Sequence, residues 1–82
     1  MPEDRPELPV EKLRAAASEN AGAQARIDAL HRELSSERPA SGAIKDHVTE
    51  LRKHAPLTAL ITAWFENPRT QAFIDELTAA GL

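Results

Sequence analysis

The chain has no cysteine and no tyrosine among its 82 residues. Without cysteine there can be no disulfide and no thiolate ligand for a metal, and the lack fits a reducing compartment. Aromatic side chains are scarce, and all of them lie in the last third of the chain: Trp64, Phe65 and Phe73. A chain of this length forms at most one domain, and its small core makes self-association a common source of added stability.

Blocks of like charge and long apolar runs are also missing. The 10 basic and 13 acidic residues are mixed along the chain, with a net charge of −3. Nucleic-acid-binding and membrane-binding surfaces usually show clustered lysine and arginine, so we expect no nucleic acid partner, and a membrane partner is disfavoured. The longest uncharged run, residues 55–65, is about half of what spans a bilayer. The start of the chain lacks the apolar segment of a secretory signal, which predicts a cytoplasmic protein.

Catalytic motifs are not recognisable either. There is no cysteine nucleophile and no glycine-rich loop to hold a phosphate, and the carboxylates are scattered over predicted helix surfaces rather than clustered in a pocket. Nucleophilic and phosphate-transfer chemistry needs such groups at defined spacing. The sequence therefore predicts a protein that is not an enzyme and has no cofactor.

The first half of the chain does contain a heptad pattern. Its seven positions, the predicted oligomer seam, alternate spacings of three and four residues: Leu13, Ala16, Asn20, Ala23, Ile27, Leu30 and Leu34. This spacing aligns them on one side of a helix, which is typical of a helix packed lengthwise against another. A buried asparagine in such a seam can pair with its symmetry mate and favours two strands. The pattern predicts a long coiled-coil-like helix over residues 10–36 that forms a homodimer, with a tetramer as the alternative. The other interpretation is an amphipathic helix packed inside its own monomer.

Prolines and glycines predict the remaining boundaries. Three prolines in residues 1–9 favour a disordered or extended tail. Pro39 and Gly42 should end the long helix, with Ser41 as the cap of a second helix that runs to His54. We expect these two helices to form a hairpin, and the alternative is a single, locally broken rod.

Two further helices should follow. Pro56 begins one that ends at Glu66, and Asn67 caps another that starts at Pro68. Gly81 is placed to end that last helix. The predicted fold class is all-α: a long N-terminal helix with coiled-coil-like heptads, followed by a compact cluster of two or three short helices over residues 43–82, in one small domain.

The densest apolar cluster lies in the third predicted helix and consists of Leu57, Leu60, Ile61, Trp64 and Phe65. Together with Phe73 and Leu77 of the last predicted helix, it forms either core or a docking face. A helix without charge over residues 55–65 is central in a core or is docked on something else. A third interpretation inserts Leu60, Ile61, Trp64 and Phe65 into a membrane interface, although a strongly basic polar face is missing.

Three residues of the second predicted helix are candidate metal ligands: His47, Glu50 and His54. Their spacing places them on one helix face, and imidazole with carboxylate suits zinc. The ordinary interpretation is a solvated charged face, so we expect no metal site and no effect of zinc on thermal stability.

These observations predict a small interaction or adaptor protein that acts through self-association and an apolar helical docking face, with a protein partner whose identity the sequence does not reveal. The alternatives are a peripheral membrane-interface protein that inserts the helix of residues 57–65, and a small inhibitor of a larger enzyme.

Overall fold

Short connections join five α-helices in residues 5–82, the part of the chain that the computed structural model describes. The helices are α1 (Val10–Ala17), α2 (Ala21–Ser35), α3 (Ser41–Leu51), α4 (Ala55–Glu66) and α5 (Pro68–Ala79). No strand occurs between residues 5 and 82. The prediction of an all-α fold is thus confirmed.

The prediction of one long helix over residues 10–36 is wrong, because the chain turns between α1 and α2. Ser18 has a positive φ of 50°, and the amide of Asn20 donates to the carbonyl of Ala17 across the turn at 2.9 Å. The Asn20 side chain then accepts from the amide of Ala23 and caps α2. Asparagine competes for backbone hydrogen bonds in this way and therefore favours helix starts over helix interiors.

The heptad pattern nevertheless identified side chains that share one environment. Five members of the predicted oligomer seam lie in the core of the single chain: Leu13, Ala23, Ile27, Leu30 and Leu34. Ala16 is half-buried and Asn20 is exposed. The spacing indicates which side chains face a core, but it does not show whether the residues between them form one uninterrupted helix.

The predicted hairpin at Pro39 is confirmed, since α2 and α3 pack against each other. Pro39 itself is fully buried in the connection. Ser41 is the first residue of α3 rather than its cap, and its amide and hydroxyl both donate to the carbonyl of Leu82. The amide of Ala40 donates instead to the carboxylate of Glu33, at 3.0 Å.

Helix α3 ends at Leu51, before the predicted His54. His54 is extended and precedes α4, whose second residue is Pro56. Proline has no amide hydrogen and its ring clashes with the preceding turn, so it is tolerated only where a helix begins. The Asn67 cap and the Gly81 stop are confirmed: Asn67 accepts from the amide of Arg69, and Gly81 has a φ of 80°.

Helix α4 contacts three other helices, as α3 does. It packs against α1, α3 and α5, while α2 packs against α1 and α3. The Cα radius of gyration is 12.1 Å, close to the roughly 12 Å expected for a folded chain of this length.

Residues 5–9, hereafter segment 5–9, cross the helices instead of forming the predicted disordered tail. Pro6 and Leu8 are buried, and Arg5 reaches the end of α2. For these residues the structure has the extended alternative rather than the disordered one, and residues 1–4 lie outside the described part. A local pattern of prolines excludes helix but says nothing about a groove elsewhere in the fold that accepts an extended chain.

Candidate functional site

The predicted core or docking residues divide between the core and its edge. Five are buried: Leu57, Ile61, Trp64, Phe73 and Leu77. Leu60 and Phe65 are partly buried and pack against that core. The inward side of α4 is therefore core, and only its remaining surface is open to a partner.

The outer face of α4, defined by Pro56, Ala59 and Ala63, is exposed and apolar. It lies opposite the buried positions Leu57 and Ile61, as the helical repeat requires. No charged residue occurs from 55 to 65. Most amphipathic surface helices carry charged side chains opposite their buried face, so this uncharged exterior is unusual and marks a candidate contact surface.

The three candidate metal ligands are held by separate partners. Nδ1 of His47 lies 3.3 Å from the guanidinium of Arg26, and Glu50 pairs with Lys53 at 2.6 Å. His54, beyond the end of α3, accepts from the side-chain amide of Asn20 at 3.2 Å. Within residues 5–82 no group of three or more such side chains could hold a metal ion. The expectation that zinc leaves thermal stability unchanged remains a prediction.

The electrostatics of α3 follow from these partners. Burial lowers the pKa of His47, and the positive charge of Arg26 lowers it further, against opposing contributions from Glu33 and Asp46. The hydrogen bond and charge of Lys53 lower the pKa of Glu50. The position of His47 therefore disfavours its protonated form.

Segment 5–9 is anchored at its start by Arg5. One guanidinium nitrogen, Nη1, donates to the carbonyls of Leu34 at 2.6 Å and Ser36 at 2.7 Å. The guanidinium carbon also lies 6.0 Å from the ring centre of Phe73. The end of α2 leaves carbonyls without helical partners and carries partial negative charge, so a cation is favoured there.

A second anchor comes from the only tryptophan. Nε1 of Trp64 donates to the backbone carbonyl of Glu7 at 3.0 Å. A buried indole needs an acceptor for its N–H group, and here the acceptor belongs to segment 5–9. Leu8, the next residue, is only 8% exposed and joins the hydrophobic core. Segment 5–9 is thus held by its backbone, its arginine and its apolar side chains.

Open clefts lie on both sides of segment 5–9. One has a volume of about 630 Å³ and is bounded on the far side by α2, at His31, Leu34 and Ser35. The other, of about 170 Å³, lies against Trp64 and the start of α5. Sequence reasoning missed this site. The arginine, two prolines and leucine of residues 5–9 are recognisable in the sequence. The surface that holds them, however, is formed by three separate helices and cannot be read from those residues.

Comparison with protein-family models, with curated proteins and with solved structures found no match to this chain. Among residues 5–82, no helix is both long enough and apolar enough to cross a membrane.

Proposed function

We propose that this chain is a small non-enzymatic interaction protein whose outer face of α4 docks onto a protein surface, with a second copy of the chain as the favoured partner. The observation that carries the proposal is the exposed outer face of α4, which carries no charge before Glu66, the last residue of the helix. Pro56, Ala59 and Ala63 present small apolar side chains, and residues 55–65 contain no charge that would have to be desolvated on contact. Small side chains also let two helix backbones approach closely.

The predicted oligomer seam is a poorer route to pairing. Leu13, Ile27 and Leu30 are fully buried within one chain. Pairing through them would require the core to open, at a cost comparable with unfolding a small domain. The outer face of α4 needs no such rearrangement.

Membrane insertion through α4 is also disfavoured, because two of the side chains that would insert are buried in the core. Ile61 is fully buried and Trp64 is 8% exposed, which leaves only Leu60 and Phe65 partly accessible. Interfacial helices instead present a continuous apolar face together with a basic polar face. Protein docking is therefore favoured over the lipid alternative.

The test is the mass of the full chain in solution, measured by sedimentation over a range of concentrations. We expect a reversible dimer for the wild type and a monomer for Ala59→Glu, because a buried carboxylate at the contact would lack a partner. Ala72→Glu places the same charge on an exposed position of α5 and should leave the dimer intact. A wild-type chain that remains monomeric at every concentration would contradict self-association.

A further inference from the structure

We propose that the groove beneath segment 5–9 is a binding site for an extended, proline-containing segment of a partner protein in which an arginine precedes the proline. Segment 5–9 occupies this groove in cis and so competes with the partner. The site is separate from the outer face of α4 and does not depend on it.

The groove recognises an extended backbone. The indole N–H of Trp64 donates to the carbonyl of Glu7, between Pro6 and Pro9. Prolines restrict the chain to extended conformations and lower the entropy lost on binding. Aromatic-lined grooves that bind proline-rich segments exploit this preformed shape. A partner segment could supply the same carbonyl in the same conformation.

The groove also has a site for one cation. Two carbonyls at the end of α2, of Leu34 and Ser36, accept from a single nitrogen of Arg5, and the ring of Phe73 lies beside its guanidinium. Guanidinium groups combine planar hydrogen bonding with stacking on aromatic rings, which an ammonium does not match. The position therefore selects arginine over lysine and neutral residues.

Open clefts adjoin segment 5–9, which itself forms part of the wall of each. The clefts of about 630 Å³ and about 170 Å³ flank it on either side. The larger cleft alone is within the range of roughly 300–1,000 Å³ that is typical of ligand sites. A partner segment with larger side chains at the positions of Glu7 and Pro9 could fill this space and gain contacts that the cis segment lacks.

Because segment 5–9 already occupies the groove, a partner segment must bind tightly enough to displace it. A tethered segment has an effective concentration in the millimolar range, so a free segment with identical contacts competes poorly. Weakening the Arg5 contacts should open the groove without altering its walls. The cis segment is thus an autoinhibitory contact that a better-fitting partner displaces.

The experiment measures binding of a fluorescent peptide, with the sequence of residues 5–10, to full-length variants by anisotropy. We expect Arg5→Ala to bind the peptide about tenfold more tightly than the wild type, because a charge-assisted hydrogen bond of the competing cis segment is lost. Arg52→Ala removes the same charge from an exposed position on the far end of α3 and should behave as the wild type. Adding Trp64→Phe to Arg5→Ala should weaken peptide binding.

Separate controls test the sequence specificity of peptide binding and the folding of each variant. A peptide whose arginine is replaced by alanine should bind the Arg5→Ala chain at least about tenfold more weakly. Circular dichroism checks that each variant is folded, and Arg5→Lys replaces Arg5→Ala if the alanine variant is not. Absence of binding to a folded Arg5 variant at millimolar peptide, or equal binding of both peptides, would overturn the proposal.

Two further outcomes distinguish a separate partner protein from a second copy of this chain as the ligand of the groove. Ala59→Glu should retain peptide binding, so failure of the α4 contact leaves this result unaffected. A wild-type dimer that the peptide dissociates and that Ala59→Glu does not disrupt would assign the groove to a second copy of this chain, and would overturn its assignment to a separate partner.

Discussion

Asn20 shows how one side chain can satisfy a sequence pattern and yet have another role. It occupies a heptad position, but it is exposed and its Oδ1 accepts from the amide of Ala23 at 2.9 Å. The hydrogen bond satisfies one of the amides that every helix start leaves without a helical partner. At the scale of this residue, capping determines where α2 begins.

Replacing Asn20 with leucine should therefore lower the free energy of unfolding by about 1 kcal/mol, the usual cost of a lost N-cap. Asn20→Asp keeps an acceptor for the amide of Ala23 and should cost much less. Urea denaturation followed by circular dichroism measures both. A residue in a buried oligomer seam would respond in the opposite sense, so a leucine variant that is more stable than the wild type would argue against the cap.

His47 makes stability depend on pH. Its pKa in the folded chain lies below the ordinary value of about 6.5, first because of burial and then because of Arg26. The unfolded chain then binds more protons in this range, so the contribution of His47 is fully present above about pH 6.5 and is lost as the pH falls towards the folded pKa.

We expect the wild type to lose more stability between pH 7 and pH 5 than His47→Gln does. Arg26→Gln should reduce the difference without abolishing it, because burial is the larger cause of the lowered pKa. The measurement is the unfolding free energy at several pH values. Parallel curves for the wild type and His47→Gln would show that His47 does not contribute.

The turn between α1 and α2 matters at the scale of elements, because it lets two helices share one face. Ser18, its second residue, has φ 50° and ψ −112°, a conformation that favours glycine. Gln24 of α2 donates to the carbonyls of Arg14 and Ser18 and so closes the end of α1. The turn is well bonded but places a non-glycine residue in a strained conformation.

Ser18→Gly should raise the free energy of unfolding by about 1 kcal/mol through relief of this strain. The matched control is Ser36→Gly, at the end of α2, where φ is −72° and the hydroxyl donates to Glu33. That variant should be less stable than the wild type. Equal losses in both variants would mean that residue 18 is unstrained.

Helix α4 has two sides with different energetic roles. Ile61 is fully buried, whereas Leu60 is only partly covered. Ile61→Ala should cost about 2–5 kcal/mol, since it removes buried methyl groups and leaves a cavity. Leu60→Ala should cost clearly less because water already reaches that side chain. Thermal and chemical denaturation check the order, and equal costs would contradict the placement of the helix.

At the scale of the whole molecule, the core belongs to one chain. The buried side chains of α1 and α2 face α3 and α4 of the same chain. A dimer through the outer face of α4 would then join two folded units. This arrangement differs from a coiled coil, in which helices form and associate together.

We therefore expect helicity, measured by circular dichroism, to stay constant over the dilution range in which the mass falls from dimer to monomer. Ala59→Glu, which we expect to be a monomer, should have the same helicity as the wild type. If ellipticity falls together with the mass, the chains associate through the core, and the arrangement of α1 and α2 is wrong.

The sequence by itself determined the helical class and several boundaries. Low β-branched content and the 3.6-residue repeat specify helices, and Pro39, Asn67 and Gly81 act through local sterics and capping that need no distant partner. The heptad pattern likewise identified core-facing side chains such as Leu13 and Ile27. All of these signals act within a few residues of the chain.

Only the tertiary structure decided what those side chains face and where segment 5–9 lies. Burial against α3 and α4 rather than a second copy depends on the turn at Ser18, a conformation that spacing does not encode. The contacts of Arg5 with Leu34 and of Trp64 with Glu7 join residues 29 and 57 positions apart. Such contacts form only after the helices have assembled a groove, so no local pattern specifies them.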